Sequence, residues 1–347
     1  MGDGVGALFR WQASACAALG SGFYAEILVR LAEDADGGGP TARLLEGHED
    51  DPVDSLLALR LLGGVHRRVL SGLEPRLAAH YPSTGGDGDA GAAAAPLLAV
   101  LDDHAEELRV SLGRPPQTNE VGRAATLVGA LWHLQAIRPL PVRLLELGAS
   151  GGLNLLADRF RFEGVNATGP VGSPVVFDDA WRGSVPVTGP LLEVVERLGC
   201  DRDPIDAATD AGALTLTSFV WPDQPARLAR LRGALAVARE TPVTVAREGA
   251  GDFLAALSPA PDAWTVVWHS VMWQYLDDAE RASVLVQLER AGTEAGDDAP
   301  LAHVAFEPRR LGPGGELAFY VTLRTWPAGG DGTLGHAPPH GVPVEWL

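Results

Sequence analysis

The run Val142-Arg143-Leu144-Leu145-Glu146-Leu147-Gly148-Ala149-Ser150-Gly151-Gly152-Leu153-Asn154 decides how the chain is read. Its first six residues form a short, mostly apolar segment, as expected of a strand buried inside a parallel sheet. The small residues that follow make a tight turn, and 153–160 then reads as a helix. Without side chains at the turn the backbone can approach a ligand, and N–H groups at the helix start are expected to be free to bind it. A turn of this kind also serves simply to pack a helix on a strand.

Two chemistries share these residues. As Glu146-x-Gly148 with Gly152 and Asn154, the run fits a cofactor-binding first motif with a carboxylate ahead of the glycines. As Gly148-x-Ser150-x-Gly152 it fits the nucleophile elbow of a serine hydrolase, with Ser150 as nucleophile. His336 or His340 and Asp277 or Asp278 would then complete a triad. A hydrolase needs several strands ahead of its elbow, whereas 1–140 carries helical spacing, as at Phe9, Ala13, Cys16 and Ala17. A strand that opens the sheet suits a cofactor domain. The expected architecture is therefore α/β, a Rossmann-like, class I methyltransferase-type, mainly parallel sheet. It comprises a helical N-terminal cap over 1–140 and a sheet domain over 141–347, with an insertion at about 161–210. Within the first part, 82–95 reads as a mobile loop rich in Gly, Asp and Ala.

Composition narrows the partners. The 347 residues carry 27 Lys and Arg against 45 Asp and Glu, a formal charge of −18. Such a surface repels phosphate backbones and anionic lipid, which argues against nucleic acid or a membrane surface as partner. Cys16 and Cys200 stand in no metal spacing and read as free thiols. With no long apolar run and no basic leader, the expectation is a cytoplasmic protein acting on a small molecule. Nothing in the sequence fixes the oligomeric state.

Downstream segments fill in the template. The run 214–220 reads as the second strand, followed by Trp221-Pro222-Asp223. A carboxylate there takes a ribose diol, which makes Asp223 the cofactor candidate and Asp178 or Asp179 the rival. Asp223 also reads as a helix N-cap. After the strand at 243–246, Asp252 in Gly251-Asp252-Phe253-Leu254 either flanks an adenine or caps a helix. The strand at 265–268 ends in His269-Ser270-Val271-Met272-Trp273-Gln274-Tyr275. His269 is the candidate general base, Ser270 a cofactor contact, and Trp273 and Tyr275 pocket walls. Core packing for the aromatics and a tautomer-locked His269 are the plain alternatives. His303 and Glu307 fall on one strand face without a third metal ligand nearby. The strands 301–306 and 317–323 read as a closing hairpin around Gly312-Pro313-Gly314-Gly315.

Five strings in order, from Gln117-Thr118-Asn119-Glu120-Val121-Gly122-Arg123 through the glycine turn, Phe219-Val220-Trp221-Pro222-Asp223-Gln224 and His269 to Tyr275, and ending in His340-Gly341 to Trp346, resemble the actinobacterial domain-of-unknown-function family numbered 2332. The resemblance implies a methyltransferase-like central domain, with no substrate or reaction to carry over. It points to Gln117, Asn119, Glu120 and Arg123 as substrate or cofactor contacts, where helix capping by Thr118 or Asn119 is the simpler role. Two features depart from a methyltransferase pattern: Ser150 stands where a strict motif has glycine, and the second acid is displaced by the insertion. The expected activity is S-adenosylmethionine-dependent methyl transfer to a small molecule. A serine hydrolase and a non-catalytic binding protein of the same fold are the alternatives.

Overall fold

A computed structural model describes residues 4–52, 55–113, 116–164, 167–184, 186, 187, 189, 191–310, 312, 315, 317–327 and 329–347. It divides into two compact units. One joins Met1–Thr118 to Ala213–Leu228, and the other joins Asn119–Gly212 to Ala229–Leu347.

The first unit is built from helices: α1 (Val5–Ala18), α2 (Gly22–Asp36), α3 (Pro40–Leu44), α4 (Leu57–Leu70), α5 (Pro75–Ala78), α6 (Ala90–Asp103) and α7 (Ala105–Leu112). Its core gathers Phe9, Ile27, Leu28, Leu61, Leu62 and Leu97. Ser21 caps α2, accepting from Tyr24 N, and Asp89 caps α6, accepting from Ala92 N. The segment 82–95 is therefore not a loop throughout. From Ala90 its alanines, the best helix formers, propagate a helix once Asp89 has capped it.

The second unit opens with α8 (Ala124–Ile137), so the division falls at Thr118 and not at residue 140. Then come β1 (Val142–Leu147), a 3-10 helix over Leu153–Arg159, β2 (Arg161–Phe162), β3 (Val176–Phe177), β4 (Trp181–Gly183) and β5 (Val194–Asp201). Next are α9 (Asp210–Ser218) and α10 (Pro225–Glu240), which the unit boundaries cut, and β6 (Thr244–Arg247). The chain finishes with α11 (Ala250–Ala255), β7 (Trp264–Ser270), α12 (Asp278–Glu294), β8 (Leu301–Arg310), β9 (Leu317–Trp326), β10 (Asp331–Ala337) and β11 (Val344–Trp346).

Nine strands form one sheet in the order β4-β11-β10-β9-β8-β7-β1-β5-β6. The pairs around β1 are parallel, with Leu147 beside Cys200 of β5 on one side and His269 of β7 on the other. The pairs β5–β6 and β7–β8 are parallel too, while β8 to β11 run antiparallel. The molecule is thus a mixed α/β protein with a large, mostly parallel sheet. Among the described residues no helix is long and apolar enough to cross a membrane.

Three expectations change. The segment 161–210 is no mere insertion: it supplies β5, which hydrogen-bonds directly to β1. The run 214–220 is not a strand, because its first part is α9. The hairpin of β8 and β9 forms but does not close the sheet, since β10 and β11 continue it; Pro313 and Gly314 lie outside the described residues.

Asp223 consequently stands at no strand end. It belongs to the helical unit, where Oδ1 accepts from Ser21 Oγ at 2.6 Å and Oδ2 from Phe23 N at 2.9 Å. Removing it strands both donors at the start of α2, at a cost of about 1–3 kcal/mol. Asp223→Ala is expected to lower the unfolding free energy from urea titration by that amount, seen as a lower midpoint; an unchanged midpoint counts against the anchoring role.

Candidate functional site

The carboxyl end of β1 meets the turn at 148–152, whose backbone is left-handed at Gly148 (φ 66°), Ser150 (φ 53°) and Gly152 (φ 70°). Space as well as φ demands the glycines. A Cβ on Gly152 would stand 2.7 Å from Val243 Cγ2, and one on Gly148 would stand 3.0 Å from Met272 Cβ. The turn's amides are not free, contrary to expectation. Ala149 N donates to Cys200 O at 2.9 Å and Ser150 N to Asp201 Oδ2 at 2.9 Å. Gly152 N closes back on Ala149 O at 2.8 Å, and Leu153 N donates to Asn119 Oδ1 at 2.9 Å. The turn is thereby tied to the end of β5, which leaves few donors for an anion.

Asp201, the last residue of β5, was not legible as a site residue. Its Oδ1 also accepts from Asp203 N at 2.8 Å. Each carboxylate oxygen takes two bonds, so two acceptor positions remain. Glu146, one strand over, is 2% exposed, and its Oε1 accepts from Trp268 Nε1 at 3.3 Å. Burial pushes the Glu146 carboxyl up to about 8; the Trp268 ring N–H, the Asn154 side chain and Arg123 pull it back, while Asp201 adds to the rise. Among the described residues neither Glu146 Oε2 nor Asn154 Oδ1 has a hydrogen-bond partner.

The polar string ahead of α8 closes this end of the sheet. Asn119 is the residue that caps Leu153 N. Glu120 Oε1 accepts from Gly122 N at 3.1 Å, and Glu120 O accepts from Asn154 Nδ2 at 3.4 Å. Arg123 ties Pro339 O to Ser270 O, at 3.1 Å each. Asn119, Glu120, Arg123, Glu146, Gly148, Ser150, Gly152, Asn154 and Ser270 are therefore joined in one unit. Gln117 falls in the other unit.

At the end of β7, His269 is fully committed. Its Nδ1 meets Glu307 Oε1 at 2.8 Å, and its Nε2 meets His303 Nε2 at 3.0 Å. Glu307 Oε1 also accepts from Met272 N at 3.0 Å and Trp273 N at 3.3 Å, fixing the loop that carries Met272 to the glycine turn. Burial, and then the neighbouring His269, hold His303 well below the usual imidazole range, so this ring stays neutral. With both ring nitrogens spent, His269 reads as a holder of the loop, not as a base facing a ligand. Trp273 stacks on His269 with centroids 5.1 Å apart, whereas Tyr275 is half exposed. Among the described residues no group of three or more His, Cys, Asp or Glu can hold a metal.

The remaining candidates scatter. Asp252 is exposed in the first turn of α11, whose N-cap is Gly249. Asp178 and Asp179 follow β3, which pairs with β2 in a separate two-stranded sheet. The φ of Ser150 would suit an elbow, yet His336 lies on β10, four strands from β1, about 19 Å away at ordinary strand spacing. Asp277 is spent as the N-cap of α12, and Asp278 pairs with Arg281. Beside Gly151 lies a cavity of about 500 Å³, walled by Pro204, Ile205, Ala238, Val243 and Val245.

The model of the family described as "uncharacterized protein conserved in bacteria (DUF2332)" matches residues 6–346, and the chain belongs to that family. No curated protein and no solved structure matches it.

Glu146 makes the site a liability for the fold. The folded state keeps a carboxyl proton up to about pH 8, while the unfolded chain releases it near 4.5. Between those values folding binds a proton, so stability falls as pH rises, by about 1.4 kcal/mol per unit and a few kcal/mol in all. Glu146→Gln, which never ionises, is expected to unfold at higher denaturant than the natural chain, with a gap that widens toward pH 8 and closes near pH 5. Parallel pH profiles for the two proteins contradict the assignment.

Proposed function

We propose that this DUF2332 member binds S-adenosylmethionine at the carboxyl ends of β1, β5 and β7 and transfers its methyl group to a small molecule. The sheet order supports this reading. From β1 the chain builds outward to β5 and β6, then returns to β7 and β8 on the other side, the Rossmann-like order 3-2-1-4-5. In open α/β sheets the ligand crevice opens where that direction reverses, here between β1 and β7.

The observation that carries the choice of ligand is the polarity of the turn. A dinucleotide needs backbone N–H donors for its pyrophosphate, and those of Ala149, Ser150, Gly152 and Leu153 are already bonded. What this end of the sheet offers instead is acceptors: Asp201, Glu146 and Asn154. A ligand rich in donors and positive charge, without phosphate, matches them. S-adenosylmethionine has a ribose diol, an ammonium and a sulfonium.

In this reading Asp201, not Asp223, takes the diol at its two remaining acceptor positions. The hollow beside Gly151 sets Ile205, Val243 and Val245 next to Asp206 and Thr244, a mixed lining that offers a purine both an apolar wall and polar partners. When bound, S-adenosylmethionine would supply an electrophilic methyl carbon to the acceptor, whose own proton would pass to solvent. Such a transfer gains chiefly from positioning, so the loop held by Glu307 and His269 matters more than a base would.

Calorimetry with S-adenosylhomocysteine and NAD tests the reading. The adenosyl compound is expected to bind and NAD not to, with Asp201→Ala weakening the former by about tenfold or more, the worth of one or two charged hydrogen bonds. No heat from adenosyl compounds at millimolar concentration, or binding of NAD, contradicts it.

A further inference from the structure

Met272 lies along the glycine turn where the crevice between β1 and β7 opens. A Cβ on Gly148 would stand 3.0 Å from Met272 Cβ, 3.1 Å from Cγ and 3.3 Å from Cε, so the side chain runs lengthwise over Gly148. The residue before it is strained. Among the described non-glycine residues with positive φ, Val271 alone is β-branched, at φ 50°, and a branched Cβ makes that region a genuine outlier. We propose that Met272 is a gate, held shut over the crevice by the strained Val271 and withdrawn when S-adenosylmethionine enters. The inference rests on the cofactor reading above and adds what stands in the ligand's way.

Strain of this kind persists only where the surroundings over-determine it, and here they do. Ahead of Val271, Ser270 O accepts from Arg123 Nη1 at 3.1 Å, and Val271 N itself donates to Phe306 O at 2.9 Å. Beyond it, Glu307 Oε1 takes the amides of Met272 and Trp273, and Trp273 O accepts from Arg281 Nε at 3.1 Å. Leu276, buried in the cluster with α11 and α12, anchors the far end of the segment. A turn needed only for its shape is cheaper with glycine or asparagine, which the left-handed region accepts. Valine there raises the shut state toward the open one, which keeps the two close enough for a ligand to shift. The moving parts suit the task. Met272 is half-buried, and its unbranched side chain swings on several rotatable bonds. Glu307 Oε2 is buried and unpartnered among the described residues, so a loop amide that leaves Oε1 has an acceptor on the same carboxylate.

The chain has 2 methionines, Met1 and Met272, so isotope labelling of methionine methyls gives Met272 a signal of its own, assigned by Met272→Leu. The expected result is an Overhauser contact between that methyl and the Gly148 α-protons in the free protein, lost on saturation with S-adenosylhomocysteine. A contact that persists in the saturated protein overturns the gate. Affinity gives a second reading with a sign. Met272→Ala removes the cost of opening and is expected to bind S-adenosylhomocysteine about fivefold or more tightly. Val271→Asn relaxes the shut state and is expected to bind it about fivefold or more weakly. A Met272 that serves as a pocket wall gives the opposite sign in Met272→Ala, and weaker binding there overturns the gate. Unchanged affinity in Met272→Ala, with the natural chain binding S-adenosylhomocysteine, overturns it too while leaving the cofactor reading intact. If neither chain binds the compound, the cofactor reading fails and this inference fails with it.

Discussion

The hydrogen bonds from Ala149 N to Cys200 O and from Ser150 N to Asp201 Oδ2 fix the glycine turn to the neighbouring strand, and the rest of the site follows from them. They hold a turn left-handed at Gly148, Ser150 and Gly152 that a free loop would not keep, since Ser150 has a Cβ that disfavours φ 53°. They also decide the chemistry. By spending its amides on the protein, the turn gives up the anion-binding role that glycine turns often play and leaves an acceptor-rich pocket mouth.

That mouth is costly to the fold. Glu146, Asn154 and Glu307 each leave a buried oxygen without a partner among the described residues, and each such oxygen costs free energy comparable to a lost hydrogen bond. The expense is borne elsewhere: β1 and β7 are buried along nearly their whole length, and Leu145, Leu147, Val267 and Leu301 pack into one cluster with α11 and α12. The unpartnered oxygens of Glu146, Asn154 and Glu307 lie at the same end of the sheet as the left-handed Ser150, where strain and unsatisfied polarity meet.

Part of this was legible in the sequence. The apolar run at 142–147 could only be a central strand, and the glycines after it could only turn. His303 and Glu307 share a strand face by period two alone, but His269 joins them only once β7 and β8 are in register, with His269 beside Ala305. The second strand escaped notice because Glu196-Arg197 and Gly199 interrupt its apolar pattern; in the fold Glu196 pairs with Arg143 and Arg197 with Asp158, which makes those charges tolerable. The opposite error arose at 214–220, where Thr215, Thr217 and Val220 imitate a strand's β-branched alternation while packing into the helical unit sets the outcome. Missing β5 meant missing Asp201, since nothing local marks that residue apart from its place at a strand end.

The most direct test is a crystal structure of the protein with S-adenosylhomocysteine. The account predicts density across 148–152 between the ends of β1 and β7, the ribose hydroxyls on Asp201, and the Met272 side chain moved off Gly148. A ligand seated anywhere else, or Met272 still packed on Gly148 in crystals saturated with it, would contradict the account.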